Sequence, residues 1–364
     1  MGSGLTEQTA NSDAGLTLCV INFNGKAVLP ASLAAACALR QRFTEMLVID
    51  NGSNDGSADT VEREFPPFRV VRLGTNLGAG GARNVGLRDA SEDRILFIDN
   101  DVSLTDRCIT RLTEAMASHP ASSLAAATIV YAHRRDTIQY DGAECHFLGI
   151  QVLLDEDRPI EAVPPEVREV GSLSTCAFMA DRSRLPAGMT FDETFFYMFE
   201  DHEFGVRTRL RGSGVLSVTD AYCYHGAGTA GLSIRQLGTY STKRVYYLIR
   251  NRWLVMLKNF SLRTLLVLGP FYLLYEFAQA AIVIKKRWHR EWLQAAGWIL
   301  ANLPQIARER RQVQSSRRLR DRDLLVGGPI PFRSDLTTGG AERFALGLLN
   351  GTARVYWAVA SRLI

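Results

Sequence analysis

The sequence predicts an α/β fold, a Rossmann-like and mainly parallel sheet flanked by helices, followed by a helical C-terminal region. Three observations carry this expectation. Short apolar runs alternate with helix-like segments through the first hundred residues, the order that builds parallel sheets. The runs are continuously apolar, as in strands covered on both faces. After Tyr240 the alternation gives way to long apolar and basic stretches. With 364 residues, 46% of them hydrophobic, the chain can bury one large core, or one core and an appendage.

The opening MGSGLTEQTANSDAG is polar and has no apolar signal region, so residues 1–14 are expected as a disordered lead. LTLCVI (16–21) reads as the first strand, before an Ala/Leu-rich helix from Leu29 to Leu39. MLVI (46–49) precedes the helical SADTVEREF (57–65), FRVV (68–71) precedes GAGGARNVGLRDA (78–90), and RILFI (94–98) follows. Beyond residue 120 the pattern loosens, with a strand at LAAATIVY (124–131) and a helix near 200–214. A catalytic domain over 15–240 and a helical region over 241–364 follow from this division. In the latter, TLLVLGPFYLLYEFAQAAIVI (264–284) is long enough to cross a bilayer, although Pro270 and Glu276 interrupt it.

Net charge is only +4, which gives no argument for a nucleic-acid partner, but the basic residues are local. From Lys285 to Asp323 there are eleven Lys/Arg against four Asp/Glu, and all five tryptophans lie beyond residue 250. Trp beside cations suits a membrane–water interface, so 253–325 is expected to touch a membrane surface. A helical layer packed on the catalytic core, or the amphipathic 341–364 docking on a second copy, would account for the same residues. Six scattered cysteines without a C-x-x-C pair read as free thiols in a reducing compartment, hence a cytoplasmic protein at the inner face of the membrane.

Every polar cluster falls at the carboxyl end of an expected strand, where open α/β sheets bind ligands. These are Asn22 and Asn24, then Asp50, then Asn76, then Asp99 and Asp101. Asp99 and Asp101 lie two positions apart, which in a strand aims both at one face. Two like charges so placed call for a cation between them, and Mg²⁺ or Mn²⁺ shared with substrate phosphates is the usual one. Asp55 and Ser57 are explained by helix capping, whereas Asp50 precedes the turn and can accept a hydrogen bond from a nucleobase. The segment NLGAGGARNVG (76–86) offers Gly78 at a helix start suited to phosphate, with Arg83 and Asn84 behind it. It fails the dinucleotide fingerprint because Arg83 stands where glycine is needed. In FDETFFYMFEDHEFGVRTRLRGSG (191–214), Glu200, Asp201 and Glu203 crowd a helix start, as caps or as a general base. His225, in CYHGAG, could supply the ligand that an Asp pair lacks.

Taken in order, V-I-N-F-N-G, D-N-G-S-N-D-G-S, N-L-G-x-G-G-A-R-N-x-G, D-N-D and F-D-E-x-F-F-x-x-x-E-D-x-E-x-x-x-R resemble glycosyltransferase family 2. The resemblance is to its rhamnosyltransferase-like branch, with the GT-A fold, and runs from Leu16 to Gly228; the tail from IRNRWLVMLKN (249–259) is similar too. It implies a nucleotide-diphosphate sugar donor, a divalent metal (Mg²⁺ or Mn²⁺), a glycan or lipid-linked acceptor, and inversion at the anomeric carbon. By the same resemblance Asp50 and the backbone around Asn22 and Asn24 bind the nucleotide, with Asn76, Gly78, Arg83, Asn84, Asp99 and Asn100 completing the donor site. Asp101, His225 and Asp99 hold the metal, Asp201 is the base, and Glu200 and Glu203 lie on the acceptor side. The family often writes E-D-x-D, whereas this chain has Glu203 at the last position. A sugar nucleotidyltransferase would need a longer Gly-rich loop after the first strand than NFNGKAVLP provides, and an inactive membrane scaffold would not need Asp101, Asp201 and His225 together.

Overall fold

A computed structural model describes residues 15–174, 176–226, 241–331 and 339–364; the expected lead over 1–14 lies outside them. In chain order the strands are β1 (Leu16–Asn22), β2 (Glu45–Asp50), β3 (Arg69–Arg72), β4 (Arg94–Asp99), β5 (Val102–Ser103), β6 (Ser122–Tyr131) and β7 (Arg134–Tyr140). There follow β8 (Ala143–His146), β9 (Gln151–Leu153), β10 (Val167–Glu169), β11 (Ala177–Asp181), β12 (Gly214–His225) and β13 (Leu325–Val326). The α-helices of the first half are α1 (Leu29–Cys37), α2 (Ser57–Glu64), α3 (Gly78–Asp89), α4 (Asp106–Ser118) and α5 (Glu200–Leu210). The second half adds α6 (Thr242–Asn259), α7 (Leu262–Lys285), α8 (His289–Ala301), α9 (Leu303–Ser315) and α10 (Gly340–Ala360).

The main sheet runs β10-β12-β6-β11-β4-β1-β2-β3 and is mixed. β3, β2, β1 and β4 are parallel, as their apolar runs predict, and all seven residues of β1 are buried. β11 (AFMAD) inserts antiparallel between β4 and β6, and β12 returns parallel to β6. One core lies under the sheet, with Leu33, Val48, Ile98 and Leu112, and another over it, with Ile49, Phe97 and Phe178. Ring stacking of Phe97 on Phe178 at 5.0 Å ties β4 to β11.

The C-terminal helices share a core with the sheet domain. Phe195, Val206 and Leu210 pack in one cluster with Leu254 and Phe260 of α6 and Phe271 of α7. The helix α7 is long and apolar enough to cross a membrane, but Leu268, Phe271, Tyr272 and Tyr275 are buried against protein, so one face is occupied. The tryptophans expected at a membrane interface are half-buried inside the protein. Trp357 stacks on Phe147 at 5.1 Å, and Trp253 packs edge-on against Trp292 while donating to Glu276 at 2.9 Å.

Candidate active site

The parallel register sets the site. Asn22 pairs with Asp50 across β1 and β2, and Ile21 with Asp99 across β1 and β4, so three strand ends stop at one level. There the Asn22 amide is fully buried and donates to Asp50 Oδ1 at 3.0 Å and Ser57 Oγ at 2.9 Å. Its carbonyl accepts from Asn100 at 3.1 Å. Asn22 and Asn100 therefore fix the loops instead of reaching a ligand with their side chains. Gly25 crosses directly over this pair, where a Cβ would collide with both amides. Asn24, at φ +50°, is tied to the D-N-G-S turn by its N–H to Ser53 Oγ at 2.9 Å and by Asn54 N–H to its side-chain Oδ1 at 2.9 Å. Asp50 Oδ2 accepts from Ser53 N–H at 3.3 Å, so both carboxylate oxygens are oriented, each with a lone pair to spare.

Two residues expected at the donor site bond to the main chain. Asn76 accepts from Gly78 N–H at 2.8 Å and from Asn51 at 3.1 Å. Asn84 donates to the Phe191 carbonyl at 2.9 Å and accepts from its N–H at 2.7 Å, clamping α3 to the loop before α5. Asn51 escaped the sequence reading although it follows Asp50 directly. Gly78 is demanded by backbone: at φ +77° its Cβ would strike the Phe196 carbonyl oxygen.

The D-N-D carboxylates part company. β4 ends at Asp99 and residues 100–101 form a turn, so the alternation that would aim both at one face is lost. Asp99 accepts from Arg83 at 2.7 Å, whereas Asp101 Oδ1 lies 3.1 Å from His225 Nε2. The short β5 pairs with the end of β12, placing Val102 opposite His225 and letting Gly226 N–H bond the Asp101 carbonyl at 2.8 Å. The other ring nitrogen, Nδ1, faces Gln139 Oε1 at 3.0 Å, which orients Nε2 toward Asp101. Burial opposes charge on this ring, but Cys176 and Asp101 favour it and lift its pKa to about 10. Among the described residues no three His, Cys, Asp or Glu groups surround a common point. Of the three expected ligands two meet, and Asp99 turns to Arg83. Gln139, on β7, carried no signal in the sequence.

Arg83 is 2% exposed and bridges Asp99 to Glu200, 3.4 Å away, rather than projecting toward a diphosphate or pairing at the surface. Burial raises the pKa of all three neighbouring carboxyls, Asp99, Glu200 and Asp201, against the pull of this one guanidinium. Glu200 reaches about 7, with Asp201 adding to the effect of burial. Glu203 is fully buried and gripped by Arg207 at 2.7 and 2.9 Å, so its expected acceptor-side place is corrected to an internal ion pair. Facing inward from α5, it cannot meet a substrate. His202 is equally buried, and burial depresses its pKa to about 3, keeping it neutral.

The Glu200–Asp201 pair follows a strained loop. Phe196, Met198 and Phe199 all have positive φ (53°, 67° and 68°), which costs on the order of 1–3 kcal/mol at each non-glycine residue. Two side chains of α6 hold it. Asn251 donates to the carbonyls of Phe195, Tyr197 and Met198 at 2.6–3.0 Å, and Arg250 to that of Thr194 at 2.6 Å. The R-N of IRNRW thus positions the loop that delivers the acidic pair.

Glu200 gives a pH signature. Between about pH 4.5 and 7 the folded chain keeps a proton that the unfolded chain has lost, so this group's contribution to stability falls as pH rises. Glu200→Gln is expected to change Tm little at pH 5 and to raise it at pH 8, where the gain in stability is about 3 kcal/mol; thermal melts at both pH values check this.

Residues 17–161 match the model of glycosyl transferase family 2. A Mycobacterium tuberculosis N-acetylglucosaminyl-diphospho-decaprenol L-rhamnosyltransferase is 26% identical over 229 residues, covering 56% of this chain and 72% of its own. An uncharacterized glycosyltransferase of Haemophilus influenzae is 29% identical over 106 residues, 29% of this chain and 35% of that one, so the chain spans about a third of that relative. In structure the chain is similar to GalNAc-T7 with UDP, GalNAc and Mn²⁺, at a TM-score of 0.57 and 13% identity over 79% of this chain and 57% of that one. Staphylococcus aureus TarS 1-349 with UDP-GlcNAc gives 0.53 and 19%, over 83% and 87%. These likenesses show the GT-A fold. The matched residues 17–161 hold four of the five ordered motifs, and over them, on a GT-A fold, the chain is similar to glycosyltransferase family 2.

Proposed function

We propose that the chain is an inverting, metal-dependent glycosyltransferase that moves a sugar from a nucleotide-diphosphate sugar to a hydroxyl of a glycan or lipid-linked acceptor. The observation that carries the reading is Arg83, whose single buried guanidinium joins the Gly-rich, D-N-D and E-D motifs at the strand ends. Asp50 is suited to accept a hydrogen bond from the nucleotide base, and the family resemblance gives Asp99 to the ribose. A carboxylate and an imidazole are both ligand types for Mn²⁺ or Mg²⁺, and Gln139 already orients the ring, so Asp101 and His225 fit such an ion and would hold it. When bound, the ion supplies positive charge to the donor's two phosphates.

Asp201 has the raised pKa that suits a general base. Its carboxylate takes the acceptor hydroxyl proton, and the freed oxygen bonds to the anomeric carbon from the side opposite the nucleotide. The bond to the diphosphate oxygen breaks with its electrons leaving on that oxygen, and the configuration inverts. Arg83 keeps Asp99 and Glu200 in register throughout. The names of the M. tuberculosis relative and of the TarS complex support, respectively, a lipid-diphosphate acceptor and a UDP-type donor.

The test is thermal shift or calorimetry against UDP, dTDP, GDP and their sugars, with and without Mn²⁺. One nucleotide at about a hundredfold its Kd should stabilise the protein by about 2.7 kcal/mol with metal present, and Asp101→Ala should abolish the effect. A folded protein that no nucleotide shifts under any metal condition leaves the inactive scaffold as the reading.

A further inference from the structure

Fourteen of the fifteen exposed large hydrophobic residues among the described ones lie beyond residue 260, and they are ordered. On α7, Leu262, Leu266, Leu273 and Phe277 are each at least 64% exposed and follow one another at intervals of four and seven, so they form one stripe. On α10, Phe344, Leu348, Val355 and Val359 repeat the same intervals at 59–70% exposure. The two helices are neighbours, with the Tyr356 hydroxyl bonded to the Val267 carbonyl at 2.7 Å. The sole acidic side chain of α7, Glu276, turns to Arg252 and Trp253.

A cleft of about 500 Å³ opens where α7 begins and α10 ends, closed by the 317–322 segment. Arginines 263, 317, 318, 320, 322 and 362 line it together with one acid, Asp321. That acid is buried and already bonded to Arg317, Thr264 and the Ser261 N–H. Among the described residues Arg263, Arg318, Arg320 and Arg362 are exposed and have no acidic partner. At the far end of α7 stand Lys285, Lys286 and Arg287. An apolar stripe with cations at both ends matches the cross-section of an anionic lipid leaflet. A second copy would instead bring like charges face to face.

We infer that the arginine cleft binds the phosphate of a membrane lipid headgroup, with α7 and α10 lying in the plane of the leaflet and their stripes among the acyl chains. Arginine suits phosphate because its planar fork donates two parallel hydrogen bonds. One face of α7 packs on the core that the C-terminal helices share with the sheet domain, which favours a helix lying in the leaflet over one crossing it. The inference deepens the proposed use of a lipid-linked acceptor and rests on that reading only for its purpose, because lipid binding is measured separately from donor binding.

The experiment is flotation of the full chain with phosphatidylcholine vesicles, with and without 30% phosphatidylglycerol, beside an Arg318→Ala/Arg320→Ala/Arg362→Ala variant and a Leu266→Gln/Phe277→Gln variant. Circular dichroism and nucleotide-induced thermal shift report folding and the donor site. The expected result is binding to phosphatidylglycerol vesicles that falls at least tenfold in either variant, with folding and nucleotide response retained. Equal binding to both vesicle types, no change in the arginine variant, or calorimetric binding of inorganic pyrophosphate that the arginine variant loses while the full chain floats with neither vesicle would overturn the headgroup assignment. Loss of nucleotide response with flotation intact would strike the transferase reading alone.

Discussion

Replacing Arg83 with methionine is expected to destabilise the protein by about 3–5 kcal/mol at pH 8, the cost of leaving buried charges without their partner. Arg83 is fully buried and is the cation that Asp99, Glu200 and Asp201 share. Its removal leaves three carboxyls whose charged forms burial already disfavours. They answer by taking protons, so the folded variant binds more protons than the unfolded chain, and the sign follows: the deficit shrinks as pH falls and grows as pH rises. Denaturant melts at pH 5 and pH 8 measure it. A pH-independent loss would mean that packing against Phe191, whose ring lies 5.8 Å from the guanidinium, is what matters.

Asp201→Asn is expected to lower kcat by 10²–10⁴ while leaving the dissociation constant of the donor nucleotide within about twofold, as loss of a general base does. Asparagine keeps the size of the side chain and the hydrogen bond that Asp201 Oδ1 accepts from His202 N–H at 2.7 Å, so the helix start is preserved. Glu200→Gln is the informative neighbour, because Glu200 is turned to Arg83. If Glu200→Gln, and not Asp201→Asn, abolished turnover at unchanged nucleotide affinity, the base would be reassigned.

β1, β2 and β4 were legible because burial on both faces writes itself as continuous apolar runs, and the half-exposed edge strand β3 also falls within a residue of FRVV. Direction was not legible. AFMAD is apolar whichever way it runs, and its antiparallel insertion between β4 and β6 depends on contacts far away in sequence. The same limit governs the site. The level of Asp50 and Asp99 follows from strand register, but the separation of Asp99 from Asp101 depends on where β4 stops. Their different partners arrive from α3 and β12. Asparagine is ambiguous for a related reason: Asn84 in G-G-A-R-N-x-G reads as a donor-site amide, yet its hydrogen bonds are satisfied by the main chain of Phe191. Glu203 and Asp201 look alike as charges at a helix start, and the direction each faces on α5 decides between them.

The clasp of Arg250 and Asn251 on the loop before Glu200 has a kinetic consequence. A catalytic head joined to an anchoring tail by a slack tether searches a volume, and its encounters with a surface-bound acceptor are diluted by that search. Here the helix that grips the loop shares its core with α7, so the acidic pair and the exposed apolar stripe form one body. The distance from Asp201 to that stripe is then a fixed dimension of the protein. On the proposed leaflet contact, acceptors would be sorted by how far their hydroxyl stands off the bilayer, as a ruler sorts lengths, before any sugar-specific contact is made.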